Sequence, residues 1–150
     1  LTGGVAGVPT ELTSLGRTIA VPRAAMGAAR FEFAALCEAP LGARDYLRLA
    51  HAFETLMIER IPQFDRARSD AARRFIRLID TLYDNCVKLV ASADADPLSL
   101  YLATDGIEVD EFKRTSSRLI EMGSESYLAL PHGGREQQLG SGSREGLIDT

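Results

Sequence analysis

The stretch that decides the fold is AARRFIRLIDTLYDNCVKLVASA, residues 71–93. Its first part carries a helical period. Ala72, Phe75, Ile76, Ile79, Leu82 and Tyr83 share one side, the spacing of a core-facing helix. Arg73, Arg77, Asp80 and Asp84 share another side. Asn85 tolerates left-handed backbone and is placed to close the helix. Val87, Leu89, Val90 and Ala91 then form a short apolar run broken only by Lys88, the pattern of a buried strand. By residue physics alone this is a helix feeding a strand in an α/β domain, with no complete catalytic motif inside it.

Just upstream, TLMI at 55–58 is a continuous apolar run, as a strand covered on both faces reads, and Pro62 ends it. A polar loop spans residues 63–68, and Ser69 or Asp70 can cap the long helix. Strand 55–60, helix 70–84 and strand 87–92 therefore make a βαβ unit with parallel strands and a right-handed crossover. Residues 42–53 are helical by pattern, with Tyr46, Leu49, Ala50 and Phe53 inward and Arg44, Asp45, Arg48 and His51 mostly outward. Leu36 and Cys37 begin a short helical turn that Pro40 ends.

Residues 17–21 and 29–33 each alternate, which predicts a β-hairpin joined by a loop over 22–27 rather than a tight turn. Residues 1–16 carry no period and read as a lead-in loop. On the other side, Pro97 starts a short helical segment and residues 104–109 form a loop. Asp110 caps a last helix running to about Tyr127, with a stripe of Phe112, Thr115, Leu119 and Met122 and a break or kink at Gly123. After Leu130 the Gly-, Ser- and Gln-rich composition predicts a disordered tail over 131–150. The expected class is α/β: a β-hairpin, a parallel βαβ unit and a C-terminal helix within one domain over 17–130.

A chain of 150 residues can bury a real core. Its net charge of −4 argues against a nucleic-acid surface built on bulk positive charge. No apolar run is long enough to span a membrane, and the opening LTGGVAGVP has no basic start or apolar h-region, so no secretory leader is expected. Cys37 and Cys86 read as small buried hydrophobes in a reducing cytosol. With His51 and His132 scattered, no metal site is expected.

Two groups of residues could carry chemistry. Arg114, Arg118 and Glu121 stand at i, i+4 and i+7 on the last helix. Arg118 lies at the edge of the apolar stripe, so its guanidinium needs an anionic partner, a carboxylate or a phosphate. Pairing within the helix, Arg114 with Glu111 or Glu121 and Arg118 with Glu121, is the simpler reading. On the long helix, Arg73, Arg77, Asp80 and Asp84 can pair with one another in solvent, and Asp80 with Asp84 could form a carboxylate pair. Lys88 can snorkel at a sheet edge or pair with an aspartate, and only distantly suggests a catalytic lysine. Ser92 sits at a strand's C-terminal end, where open parallel sheets hold ligands, though a turn residue is the plainer reading. There is no GxxxxGK[ST] phosphate loop, GxSxG elbow or Cys–His arrangement.

Four longer motifs go further: GR-x-I-x-V-P (16–22), ARFEF-x-x-LC-x-x-PLGA-x-DYL (29–47), ARRFI-x-LID-x-LYD-x-x-VKL (72–89) and EFKRT-x-SRLIEM-x-S-x-x-YL (111–128). Together, and in this order, they resemble the C-terminal half of the ZapE-type ATPases, cell-division-associated members of the AAA+ P-loop class with mitochondrial relatives called lactation-elevated ATPases. The resemblance implies part of a larger P-loop NTPase fold in a cytoplasmic, ring-forming protein that hydrolyses ATP with Mg2+. Its bacterial members act at the division septum on the tubulin-like division ring. The family's Walker motifs belong to an N-terminal half, which would be this chain's first partner. The resemblance also implies that Arg114 and Arg118 of RT-x-SRL, or Arg73 and Arg74 of ARRF, face nucleotide phosphate, with Asp80 in the same motif. An alternative is a non-catalytic module that recruits a division-ring or other client protein.

Overall fold

The computed structural model describes residues 8–14, 17–25, 27–104 and 106–133. Within them a single five-stranded sheet runs in the order β1 (Val8–Ser14), β2 (Arg17–Ala25), β3 (Ala28–Glu32), β4 (Thr55–Ile61), β5 (Lys88–Ala93). The first two pairings are antiparallel; β3, β4 and β5 are parallel. Short helices α1 (Phe33–Cys37) and α2 (Ala43–Ala52) connect β3 to β4, and α3 (Ser69–Asp84) connects β4 to β5. The last helices among the described residues are α4 (Ile107–Glu121) and α5 (Glu125–Leu128). The hairpin, the parallel βαβ unit and the C-terminal helix are all present, an α/β arrangement consistent with a portion of a P-loop NTPase.

Several details differ from the pattern. The expected lead-in loop contains β1, an edge strand that the mixed run VPTELTS hides because its order comes from backbone pairing with residues 17–24 rather than from its own period. The predicted hairpin strand at 17–21 pairs with β1. The hairpin to β3 is instead made by Arg23–Ala25 against Ala28–Arg30. Ala25 pairs directly with Ala28, so the strands close on each other tightly, and Gly27 supplies the positive φ of 79° that such a reversal needs.

β4 is not buried on both faces. Leu56 and Ile58 are fully buried, whereas Thr55, Met57 and Glu59 are only partly covered. The register puts Arg30, Met57 and Val90 side by side on this more open face, and Val90 is exposed.

α3 starts without a side-chain cap. A 3₁₀ turn at Arg66–Arg68 runs straight into it, so Ser69 is already helical and has no N-cap role to play. The helix closes one residue later than expected: Asn85 keeps a negative φ and Cys86 takes φ 54°, while Asn85 Nδ2 donates to Thr81 O at 2.8 Å. Besides the expected face, Leu78 is buried, because α3 packs between α2 on one flank and α4 on the other. Asp45, expected outside, is buried: its Oδ2 accepts the Gly42 backbone N–H at 2.8 Å and so caps α2.

The core is rich in aromatic rings. Phe33, Phe64, Phe75, Phe112 and Tyr101 form a chain of ring contacts with centroids 5.0–6.0 Å apart, joining α1, the segment after β4, α3 and α4. Gly123 does break the last helix. Ser124 then caps α5, its Oγ accepting the Tyr127 N–H at 3.2 Å. Asp110 lies inside α4, whose N-terminal residue Ile107 follows Gly106 at φ 104°. Tyr127 anchors α5 by donating from its buried hydroxyl to Val87 O at 2.7 Å. Of the predicted tail, residues 131–133 are described. His132 Nε2 lies 2.6 Å from Ala50 O and Gly133 N donates to Asn85 O at 2.9 Å; 134–150 lie outside the described residues.

Candidate functional site

The two charged groups singled out in the sequence meet across the α3–α4 contact. Arg114 and Arg118 both reach a carboxylate on the other helix, which goes beyond the within-helix pairing of the simpler reading. Arg118 Nη1 donates to Asp80 Oδ1, and Arg114 Nη2 stands 3.7 Å from the other oxygen, Oδ2. The arginines are one turn apart on α4, so both can reach a single carboxylate on the neighbouring helix. The Arg118 guanidinium carbon also lies 4.8 Å from the Tyr83 ring centroid, where the negative face of the ring attracts it. The Tyr83 hydroxyl donates to Glu121 Oε1 at 2.8 Å. A few turns away Arg73 bridges the same helices through Glu108 at 3.2 Å and reaches Asp70 on its own helix at 3.7 Å.

The remaining candidates go elsewhere. Arg74 turns away from Arg73 and donates to Cys37 O at 3.2 Å, at the C-terminal end of α1, where helix carbonyls lack partners. Ser92 accepts the backbone N–H of Arg60 at 3.0 Å; Arg60 has φ 62° where the β4–β5 register slips, so Ser92 braces an irregular strand end. Among the described residues Lys88 turns to backbone carbonyls rather than to an aspartate. Its Nζ donates to Leu130 O at 2.6 Å and Cys86 O at 3.2 Å and lies 5.2 Å from the Tyr127 ring centroid, and burial pulls its ammonium below the usual lysine range.

Sequence reasoning did not single out a second ionic group on the more open sheet face. There Arg30 donates to Glu59 at 2.7 Å and Arg60 stands 3.5 Å from Glu32. The Arg30 guanidinium holds the Glu59 carboxyl below the usual carboxylate range. Alternation in β3 and β4 puts Arg30, Glu32 and Glu59 on one face, while Arg60 comes near Glu32 at the irregular strand end; the grouping is visible only once the two strands are known to be parallel neighbours. Among the described residues no group of three or more His, Cys, Asp and Glu side chains is gathered for a metal.

Cys37 is fully buried, and that burial pushes its thiol up to about 12; burial also raises the Tyr46 hydroxyl, whose proton goes to Leu36 O at 2.7 Å. Both acids have folded values above their ordinary ones, 9.0 for the thiol and 10.0 for the phenol. The folded state therefore holds protons that the unfolded chain releases, and stability falls as pH rises. Denaturation followed at stepped pH is expected to show full stability below about pH 9 and progressive loss from there towards 12. Cys37→Ala is expected to flatten the first part of that loss; an unchanged alkaline slope would assign it to other groups.

No helix among the described residues is long and apolar enough to cross a membrane. Residues 1–131 match the family described as AFG1-like ATPase. Lactation elevated protein 1 homolog B of Danio rerio is 36% identical over 79% of this chain. Cell division protein ZapE of Escherichia coli (strain K12) is 40% identical over 67% of it. The chain aligns with 30% of the first relative's length and 26% of the second's, less than a third of either. No solved structure matches it. The family match spans the hairpin, the βαβ unit and both arginine-bearing helices, and on it the chain belongs to the AFG1-like ATPases.

Proposed function

We propose that this chain is the C-terminal α/β portion of a ring-forming ATPase subunit, and that it completes the sheet, contributes to a subunit interface and presents arginine to nucleotide phosphate. The observation that carries this reading is the convergence of Arg114 and Arg118 on Asp80, with the Arg114 side chain 54% exposed. A guanidinium that reaches solvent beside a neutralised neighbour suits phosphate oxygens, which accept its fork of donors. ATP is the substrate in this reading. Its triphosphate cradle and Mg2+ belong to an N-terminal ATPase half carrying a phosphate loop, and this chain supplies arginine only. The more open sheet face, with Met57 and Val90, supports such a neighbour, since parallel sheets in α/β proteins are covered on both sides. The setting would be the cytoplasm, and in a bacterial member the division septum.

A second reading has an observation of its own. Leu98 is 75% exposed, and Leu102 and Ile120 about half exposed, an apolar set that a client protein could cover. In that reading the chain recruits a client, such as the tubulin-like division-ring protein, and its arginines only hold the fold. A polypeptide carrying this chain behind a phosphate-loop ATPase portion separates the two. Arg114→Ala is expected to lower ATP turnover at least about ten-fold, towards the effect of removing an arginine from a phosphoryl-transfer site, with the melting temperature kept. Unchanged turnover would sink the phosphate-facing role, and client capture lost on Leu98→Ser with turnover intact would favour the second reading.

A further inference from the structure

The two arginines on Asp80 are held very differently. Arg118 is 26% exposed, hydrogen-bonded to Oδ1 and lying over the Tyr83 ring, which Glu121 fixes in turn. Arg114 is 54% exposed and only within 3.7 Å of Oδ2. A pair of this second kind is screened by water and weak. The first combines an ion pair with a ring contact in a partly dry place, where each interaction strengthens the other.

We infer that Asp80 is a positioning residue that keeps Arg118 fixed and holds Arg114 in a retracted place, from which Arg114 transfers to a phosphate group. This rests on the reading that the α3–α4 face meets nucleotide phosphate. It adds which arginine moves and what holds it beforehand. A phosphate carrying more than one charge outcompetes a single carboxylate already shared with Arg118 for an exposed guanidinium. The move leaves no carboxylate without a partner, because Asp80 keeps Arg118. A one-to-one pair would strand the aspartate at the moment of transfer. Two arginines on one carboxylate avoid that cost and keep α4 docked on α3 throughout.

The test follows the arginine side chains themselves. The polypeptide carrying this chain behind a phosphate-loop ATPase portion is labelled with 15N-arginine and titrated with inorganic pyrophosphate at low salt, reading the Nε–H resonances of Arg114 and Arg118. The Arg114 signal is expected to shift and saturate while that of Arg118 stays in place. Asp80→Asn removes the competing carboxylate and is expected to tighten pyrophosphate binding about three- to five-fold. Both signals moving together, or Asp80→Asn leaving affinity unchanged or weaker, would overturn the transfer. The wild-type titration decides the matter even if Asp80→Asn does not fold. Silence at both arginines, with Arg114→Ala binding pyrophosphate as well as the wild type does, would instead remove the phosphate-facing reading beneath the inference.

Discussion

Replacing Phe75 by alanine is expected to destabilise the chain by about 3–5 kcal/mol, the range for truncating a buried phenylalanine. Phe75 is fully buried on α3, and its ring lies 5.3 Å from Phe64 and 6.0 Å from both Phe33 and Phe112. Those three rings come from α1, the segment after β4, and α4, so one side chain ties the sheet connections to the C-terminal helix. Alanine removes the transfer energy of the ring and leaves a cavity whose walls are other rings, which cannot collapse into it without leaving their rotamers. Phe75→Leu refills much of the space and is expected to cost about half as much. Urea denaturation measures both. A loss under about 1 kcal/mol for Phe75→Ala would mean that the aromatic cluster is not the centre of the core.

The second large effect concerns the ion pair between the helices. Arg118→Ala is expected to cost about 1–3 kcal/mol, because it removes a charged hydrogen bond and the contact with the Tyr83 ring together. The loss stays below that of a fully buried pair. Both partners keep about a quarter of their surface in water, and Arg114 remains near Asp80 as a substitute. Arg114→Ala is expected to cost less than about 1 kcal/mol, as exposed pairs do. The two variants compared by thermal denaturation thus give a ratio. Equal losses would contradict the unequal hold that Asp80 has on its two arginines.

How much of this was legible in the sequence varies by element. The βαβ unit was, because α3 carries a strong helical period and β5 a short apolar run, both local signals, although β5 is an edge strand with Val90 to Ala93 exposed and not the buried strand its run suggests. β1 was not. An edge strand such as VPTELTS is ordered by its partner's backbone, and its own residues need no alternation to be paired. The tight turn at Gly27 was obscured because the alternating residues 17–21 belong to a different pairing. TLMI misleads for a related reason: Met57 is apolar, yet it sits on the sheet's more open side.

For the candidate site the sequence determined the residue types and their helical faces, since i, i+3 and i+4 spacing fixes which side chains share a turn. It therefore grouped Arg114 with Arg118, and Asp80 with the charged side of its helix. Only the tertiary structure decided that Asp80 serves both arginines, that Arg73 and Arg74 part company, and that Tyr83 lies under Arg118. Thirty-eight residues separate Asp80 from Arg118. A contact over that distance depends on how two helices cross, and that crossing is set by the aromatic core packed beneath them rather than by any local spacing.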